Sequence, residues 1–251
     1  MLPEISARFH ELKAQIERSG DARLARSVLP FEVPVIDTML PNGGLAYGAL
    51  HEIAGGAHGA IDGAAAISFA AGIAARTGGL VLWAYIQPDL FAPALALSGL
   101  ANDRVVFFEG GDEASVLGCC EEALRHGGLT AVVGELSNLT RVASQRLQMA
   151  AETTGTIALV VRRWRRQVDA RDFGTPTAAF TRWRVTALNS EPLPVRGVGR
   201  SRWQLELMRT RGGGSGDFEV EACDEKGAIR LSAALADRSI ETGCRSIRAA
   251  S

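Results

Sequence analysis

The residue types most suited to chemistry gather in one stretch, Leu50-His51-Glu52-Ile53-Ala54-Gly55-Gly56-Ala57-His58-Gly59-Ala60-Ile61-Asp62-Gly63-Ala64-Ala65-Ala66. Its pattern predicts a strand, a glycine-rich loop and a helix. Loops of that kind cradle phosphates on backbone N–H groups at a helix N-terminus, while a lysine reaches the outer phosphates and a hydroxyl holds Mg²⁺. The lysine is missing: the chain holds only Lys13 and Lys226. Aligned on Gly55, the loop places Ala60, Ile61 and Asp62 where Gly, Lys and Ser or Thr would follow; a three-residue insertion puts Gly63, Ala64 and Ala65 there instead. Either register leaves an apolar side chain for the lysine and a carboxylate or a methyl for the hydroxyl. Asp62 is a further obstacle, because an aspartate ahead of an alanine-rich helix is expected to cap it and to accept the N–H groups that a phosphate needs. The degenerate loop of Gly55, Gly56, Gly59, Asp62, Gly63, Ala64 and Ala65 is therefore expected to bind no cofactor.

Other groups of reactive residues are sparse. His10, His51, His58 and His126 stand far apart, with no local Ser-His-Asp or Cys-His pattern. His51 is expected to pack within its strand and His58 to be solvated in the loop. Cys119, Cys120, Cys223 and Cys244 form no C-x-x-C pair, which predicts reduced thiols and no metal site. Arginine is a different matter. It supplies 25 of the 27 basic residues, and Arg162, Arg163, Trp164, Arg165 and Arg166 form a run followed by Arg171, Arg182 and Arg184. Arginines interleaved with tryptophan contact phosphates and stack on bases. They meet an acidic protein partner equally well, or stand solvated, and the residues leave all three readings open.

The elements that must position these groups are legible from periodicity. Ile5, Phe9, Leu12 and Ile16 recur at helical spacing, which predicts an amphipathic helix ended by Ser19-Gly20-Asp21 and suited either to its own core or to a partner. Pro30, Pro34 and Pro41 exclude a long helix, and Asn42-Gly43-Gly44 predicts a turn into the strand at 50–53. Apolar runs at 80–85, 104–108, 129–135 and 157–161 predict strands, alternating with helices at 89–98, 113–125 and 139–153. Such alternation argues for a mainly parallel α/β sheet flanked by helices. After residue 182 the pattern switches to alternation of period two, at 182–187, 202–207 and 217–222, with Gly212-Gly213-Gly214-Ser215-Gly216 as a hairpin turn. These segments are expected to extend the sheet as antiparallel edge strands. Three parts follow: an N-terminal helix and linker at 1–26, one α/β domain at 27–236, and a flexible tail at 237–251. A net charge of −1 does not mark the whole molecule as a polyanion binder, and the absence of any long apolar run excludes a membrane span and predicts a cytoplasmic protein.

The approach to the loop carries a resemblance. Ile36-Asp37 with Leu40, then Gly44-Leu45 with Gly48, then Leu50 with Glu52-Ile53 and Gly55, resembles the entry to the phosphate loop of RecA-like recombinases. In those ATPases a glutamate after the second core strand activates water, and the corresponding position here is Gln87, which orients water but is a poor base. Where they hold Mg²⁺ with an aspartate, this chain has Gly134-Glu135, and a one-residue shift is expected to turn Glu135 from the cleft. The segment after the fourth core strand, which contacts DNA in that fold, carries the arginine cluster.

Over residues from about 27 to about 238, further pieces narrow the resemblance. They include Leu29-Pro30-Phe31, Leu82-Trp83, Asp89-Leu90-Phe91-Ala92-Pro93, Arg146-Leu147-Gln148, Thr181-Arg182-Trp183-Arg184-Val185 and Gly199-Arg200-Ser201-Arg202-Trp203. Together they are similar to the ImuA family, degenerate RecA-like accessories of SOS-induced mutagenic translesion synthesis related to SulA. The resemblance implies a non-catalytic adaptor whose partners are an ImuB-like Y-family polymerase homologue and, in the same assembly, an error-prone replicative-type polymerase. DNA contact and self-association are further expectations, with no membrane contact. The alternatives are a divergent ATPase using Glu135 and the loop, and a SulA-like inhibitor of cell division.

Overall fold

The computed structural model describes residues 27–164, 173–190, 197 and 199–232. The amphipathic segment with Ile5, Phe9, Leu12 and Ile16, and the tail at 237–251, lie outside the described residues. The strand that leads into the glycine loop, β3 (Leu50–Gly55), sits in the middle of a nine-stranded sheet ordered β11-β10-β9-β8-β3-β7-β6-β4-β5. The other strands of that sheet are β4 (Val81–Tyr85), β5 (Val105–Glu109), β6 (Ala131–Leu136), β7 (Ile157–Arg162), β8 (Thr181–Leu188), β9 (Arg202–Thr210), β10 (Gly216–Glu221) and β11 (Arg230–Leu231). Strands β3 to β8 run parallel, and β9, β10 and β11 are antiparallel. One detail departs from the sequence reading: β8 pairs parallel with β3, not as part of the antiparallel edge. β8 begins beside His51, which Thr181 faces in the register.

Helices cover both faces where the strands read as unbroken apolar runs, as burial on two sides requires. On the front face lie α2 (Ala60–Arg76) and the short α3 (Ala92–Leu97); on the back lie α4 (Glu113–His126) and α5 (Arg141–Thr154). Each of α4 and α5 starts on a side-chain cap, Asp112 and Thr140, and stops at a left-handed glycine, Gly127 and Gly155. α3 is shorter than the expected 89–98, because Pro93 sets its first turn. The front core is built on Phe31, Phe69, Trp183 and Trp203, whose rings meet at centroid distances of 5.6 to 6.3 Å. Such ring pairs contribute roughly 0.5–1.5 kcal/mol each beyond their buried area.

The segment ahead of β3 folds over this core. Strands β1 (Val28–Leu29) and β2 (Leu45–Ala46) pair with each other, joined through α1 (Pro34–Asp37) and a 3₁₀ turn at Pro41–Gly43. Asp37 holds the approach together: its carboxylate accepts the N–H groups of Phe31 at 2.7 Å and Val33 at 3.1 Å. The Ile36-Asp37 signature is thus a local fold determinant. Strand β8 and the antiparallel strands behave differently from the parallel core. Trp183, Val185, Trp203, Leu205, Leu207, Phe218 and Val220 are buried, while intervening residues make ion pairs such as Arg184–Glu206 and Arg202–Glu219. This is the one-sided sheet that period-two alternation predicts.

Candidate functional site

Strand β3 ends at Gly55 and α2 begins at Ala60, so the loop register aligned on Gly55 is the structural one. Gly63, Ala64 and Ala65 lie inside the helix. Ile61, in the place of the lysine, is exposed at the helix start. Asp62 is not the N-cap that its position suggests; Gly59 is, at φ 57°, because four residues suffice to carry the chain from strand to helix. Asp62 instead stands on the first turn with its carboxylate fully buried. One carboxylate oxygen accepts the His58 N–H at 2.7 Å and lies 3.1 Å from His58 Nδ1; the other accepts the Ala187 N–H of β8 at 2.8 Å. Gly56 N–H donates to Val185 O at 2.9 Å. The loop is therefore tied to β8 through its own carboxylate. Its glycines allow that closeness: a Cβ on Gly55 would stand 2.7 Å from the Asp62 backbone, and one on Gly56 would meet the Asp62 carboxylate at 2.7 Å.

The loop opens on a cleft of about 570 Å³ at the carboxyl ends of the parallel strands, lined by Gly56, Gly59, Gln87, Asp89, Arg163 and Trp164 among others. A smaller recess of about 260 Å³ adjoins it, with Gln87, Arg163 and Trp164 in common and Glu113 and Glu135 as its carboxylates. Glu135 does not turn away, contrary to expectation. It follows Val133 by two residues on the front face, accepts the Trp83 Nε1–H at 2.8 Å and lines the recess. Arg163 bridges it to Asp89, at 3.1 Å and 2.6 Å. Burial raises the Glu135 carboxyl above its ordinary range, opposed by the Arg163 charge and the Trp83 hydrogen bond. Among the described residues no group of three or more His, Cys, Asp and Glu side chains is placed to hold a metal ion. The donor set does not fit a nucleotide triphosphate with Mg²⁺: Ile61 replaces the lysine, and a buried carboxylate committed to two N–H groups replaces the hydroxyl.

The arginine cluster divides on inspection. Arg162 and Arg182 are corrected from surface candidates to buried residues, because both are committed to Glu52. Arg162 Nη1 donates to Glu52 Oε1 at 2.6 Å, Arg182 Nε donates to Oε2 at 2.9 Å, and the Thr177 hydroxyl donates to Oε2 at 3.1 Å. Arg163 is mostly buried between Glu135 and Asp89, and Arg184 pairs with Glu206 at 3.0 Å. Arg165, Arg166 and Arg171 lie outside the described residues. The two ends of that segment meet: Trp164 and Phe173 form an edge-to-face pair at 5.4 Å, with the Arg162 guanidinium 5.2 Å from the Trp164 ring centre and that of Arg182 5.4 Å from Phe173. Trp164 Nε1–H also donates to Ser137 O at 2.8 Å.

Glu52 is the residue that pattern reading passed over. A carboxylate at the centre of a strand otherwise apolar but for His51 is the available signal, since such a group is buried only with partners. His51 beside it packs as expected. It is fully buried, with Nδ1 2.8 Å from the Thr181 hydroxyl and Nε2 3.0 Å from Ala46 O, an arrangement in which Nε2 donates to the carbonyl and Nδ1 accepts from the hydroxyl. The described cysteines, Cys119, Cys120 and Cys223, are free thiols, and burial pushes Cys223 up to about 12.

The chain is 36% identical over 232 residues to Protein ImuA of Caulobacter vibrioides, in strains NA1000 / CB15N and ATCC 19089 / CIP 103742 / CB 15 alike, covering 87% of this chain and 94% of each relative. The chain belongs to the ImuA family. No family model matches it. Among solved structures it is similar to the RadB recombinase, with a TM-score of 0.54 at 16% identity, covering 81% of this chain and 99% of that one. At that identity the likeness speaks for the fold, and the fold of this ImuA family member is RecA-like.

Proposed function

We propose that this ImuA family protein is a RecA-like adaptor without an ATP cycle, acting in the DNA-damage response. In this reading it supports error-prone translesion synthesis by binding an ImuB-like Y-family polymerase homologue, in an assembly with an error-prone replicative-type polymerase and in contact with DNA. The observation that carries the reading is Asp62: the phosphate loop is closed by the chain's own carboxylate, tied to His58 and Ala187, with Ile61 where a lysine would neutralise phosphate. A recombinase scaffold that no longer cycles nucleotide keeps its surfaces for holding partners. Arg165, Arg166 and Arg171, which lie between Trp164 and Phe173 in sequence, are the candidate contacts for DNA or a partner.

The divergent-ATPase reading has one observation in its favour, the cleft of about 570 Å³ in which Arg163 supplies a cation. Titration of Mg·ATP into the protein by calorimetry separates the two. The adaptor reading expects no saturable heat; saturable binding that is abolished by Arg163→Ala would revive the ATPase.

A further inference from the structure

A third concavity, of about 620 Å³, lies on the back of the molecule and is used by none of the chemistry above. One wall is the outer stripe of α5, where Arg141, Gln145 and Met149 recur at intervals of four; the other is the end of β9 with Arg209, and Arg211 just beyond it. The floor is the chain at 176–178. This floor is fixed to both walls: Ala178 N–H donates to the Ser144 hydroxyl at 3.0 Å, Arg209 donates to Thr177 O at 3.1 Å and Arg211 to Ala178 O at 3.4 Å. Gln148 secures the helix from below, accepting from Leu50 N–H at 2.9 Å and donating to Gly48 O at 3.2 Å. The groove is thus formed in advance of any ligand, which lowers the ordering cost of binding.

Its chemistry is specific. Three arginines line it, and no carboxylate is among its described lining residues, in a protein whose net charge is −1. Arg141 makes no ion pair among the described residues. Arg209 spends one donor on the floor, and a guanidinium carries five. Beside the arginines, Met149 and Val142 are 68% and 65% exposed and seven residues apart, on one helix face. Single-stranded nucleic acid is the weaker fit, because it is held on aromatic platforms and no aromatic residue is among the described lining residues. Arginine forks match carboxylates two-point, and methionine adapts to an apolar side chain.

We infer that this groove is a docking site for an acidic peptide segment of a partner protein, its carboxylates on Arg141 and Arg209 and an apolar side chain on Met149 and Val142. The inference deepens the adaptor reading and rests on it for the existence of a partner. Its test does not use the ImuB-like protein, so the two fail separately. A fluorescein-labelled synthetic peptide of alternating leucine and aspartate is titrated with the full chain by anisotropy, beside an isosteric leucine–asparagine peptide and a labelled single-stranded oligonucleotide. Saturable binding of the acidic peptide and not of the asparagine peptide is expected, weakened about tenfold or more by Arg141→Glu with Arg209→Glu and unchanged by Arg200→Glu on the β10 side, while oligonucleotide binding is expected to be unaffected by the double variant. All variants change exposed side chains, and unchanged thermal unfolding would confirm their folding. Failure of the acidic peptide to bind, binding equal to that of the asparagine peptide, or binding that the double variant leaves intact would each overturn the inference. Oligonucleotide binding lost in the double variant would assign the groove to nucleic acid and overturn it as well.

Discussion

Glu52 and Glu135 show how differently one residue type behaves in this fold. Glu52 is enclosed by two arginines and a threonine, and removing a buried partner costs far more than the pair contributes. Glu52→Ala is therefore expected to destabilise the protein by about 3–5 kcal/mol in urea unfolding. Glu135 carries a raised carboxyl, chiefly through burial. A raised folded-state value gives stability that is complete below the unfolded value and is lost as pH rises through the folded one. The stability of the wild type relative to Glu135→Gln should accordingly fall from acid towards neutral pH, measured as the difference between their urea midpoints. A difference that grows with pH instead would mean that the Arg163 pair outweighs burial.

At the level of elements, the strand–loop–helix unit is where sequence reading and structure can be compared most closely. The pattern from Leu50 to Ala66 specified its order correctly, because glycine punctuation and alanine-rich periodicity are local properties. The cap was misplaced, because whether Asp62 stands before or on the helix depends on the approach of β8, a strand more than a hundred residues away. Substitution tests the register. Gly55→Ala would press a Cβ against the Asp62 backbone and is expected to cost about 1–3 kcal/mol. Gly63→Ala has open space and a helical position, and should stabilise by roughly 0.5–1 kcal/mol. Equal costs at both positions in thermal unfolding would contradict the helix start at Ala60. The arginines follow the same division. Their abundance is visible in the sequence, yet Arg162 and Arg182 became buried partners of Glu52 only through the parallel pairing of β3 with β7 and β8.

Across the whole molecule, the order of strands and helices was legible because buried parallel strands and covering helices impose distinct apolar patterns. The parallel placement of β8 was not, since period-two alternation marks a half-buried strand without giving its direction. The groove between α5 and β9 was hidden for a related reason: its arginines are distributed over residues 141, 209 and 211 and meet only in the folded chain. What the sheet assembles is a recombinase-like body whose nucleotide loop is closed by its own carboxylate and whose polar surfaces lie at the strand ends and on the back. The proposed adaptor function needs no nucleotide. Its most direct measurement is size-exclusion chromatography with light scattering of this protein mixed with an ImuB-like protein, both shown to be folded, with and without Mg·ATP. A complex that forms without nucleotide and is unchanged by it is expected. No complex, or one that forms only with ATP, would contradict it.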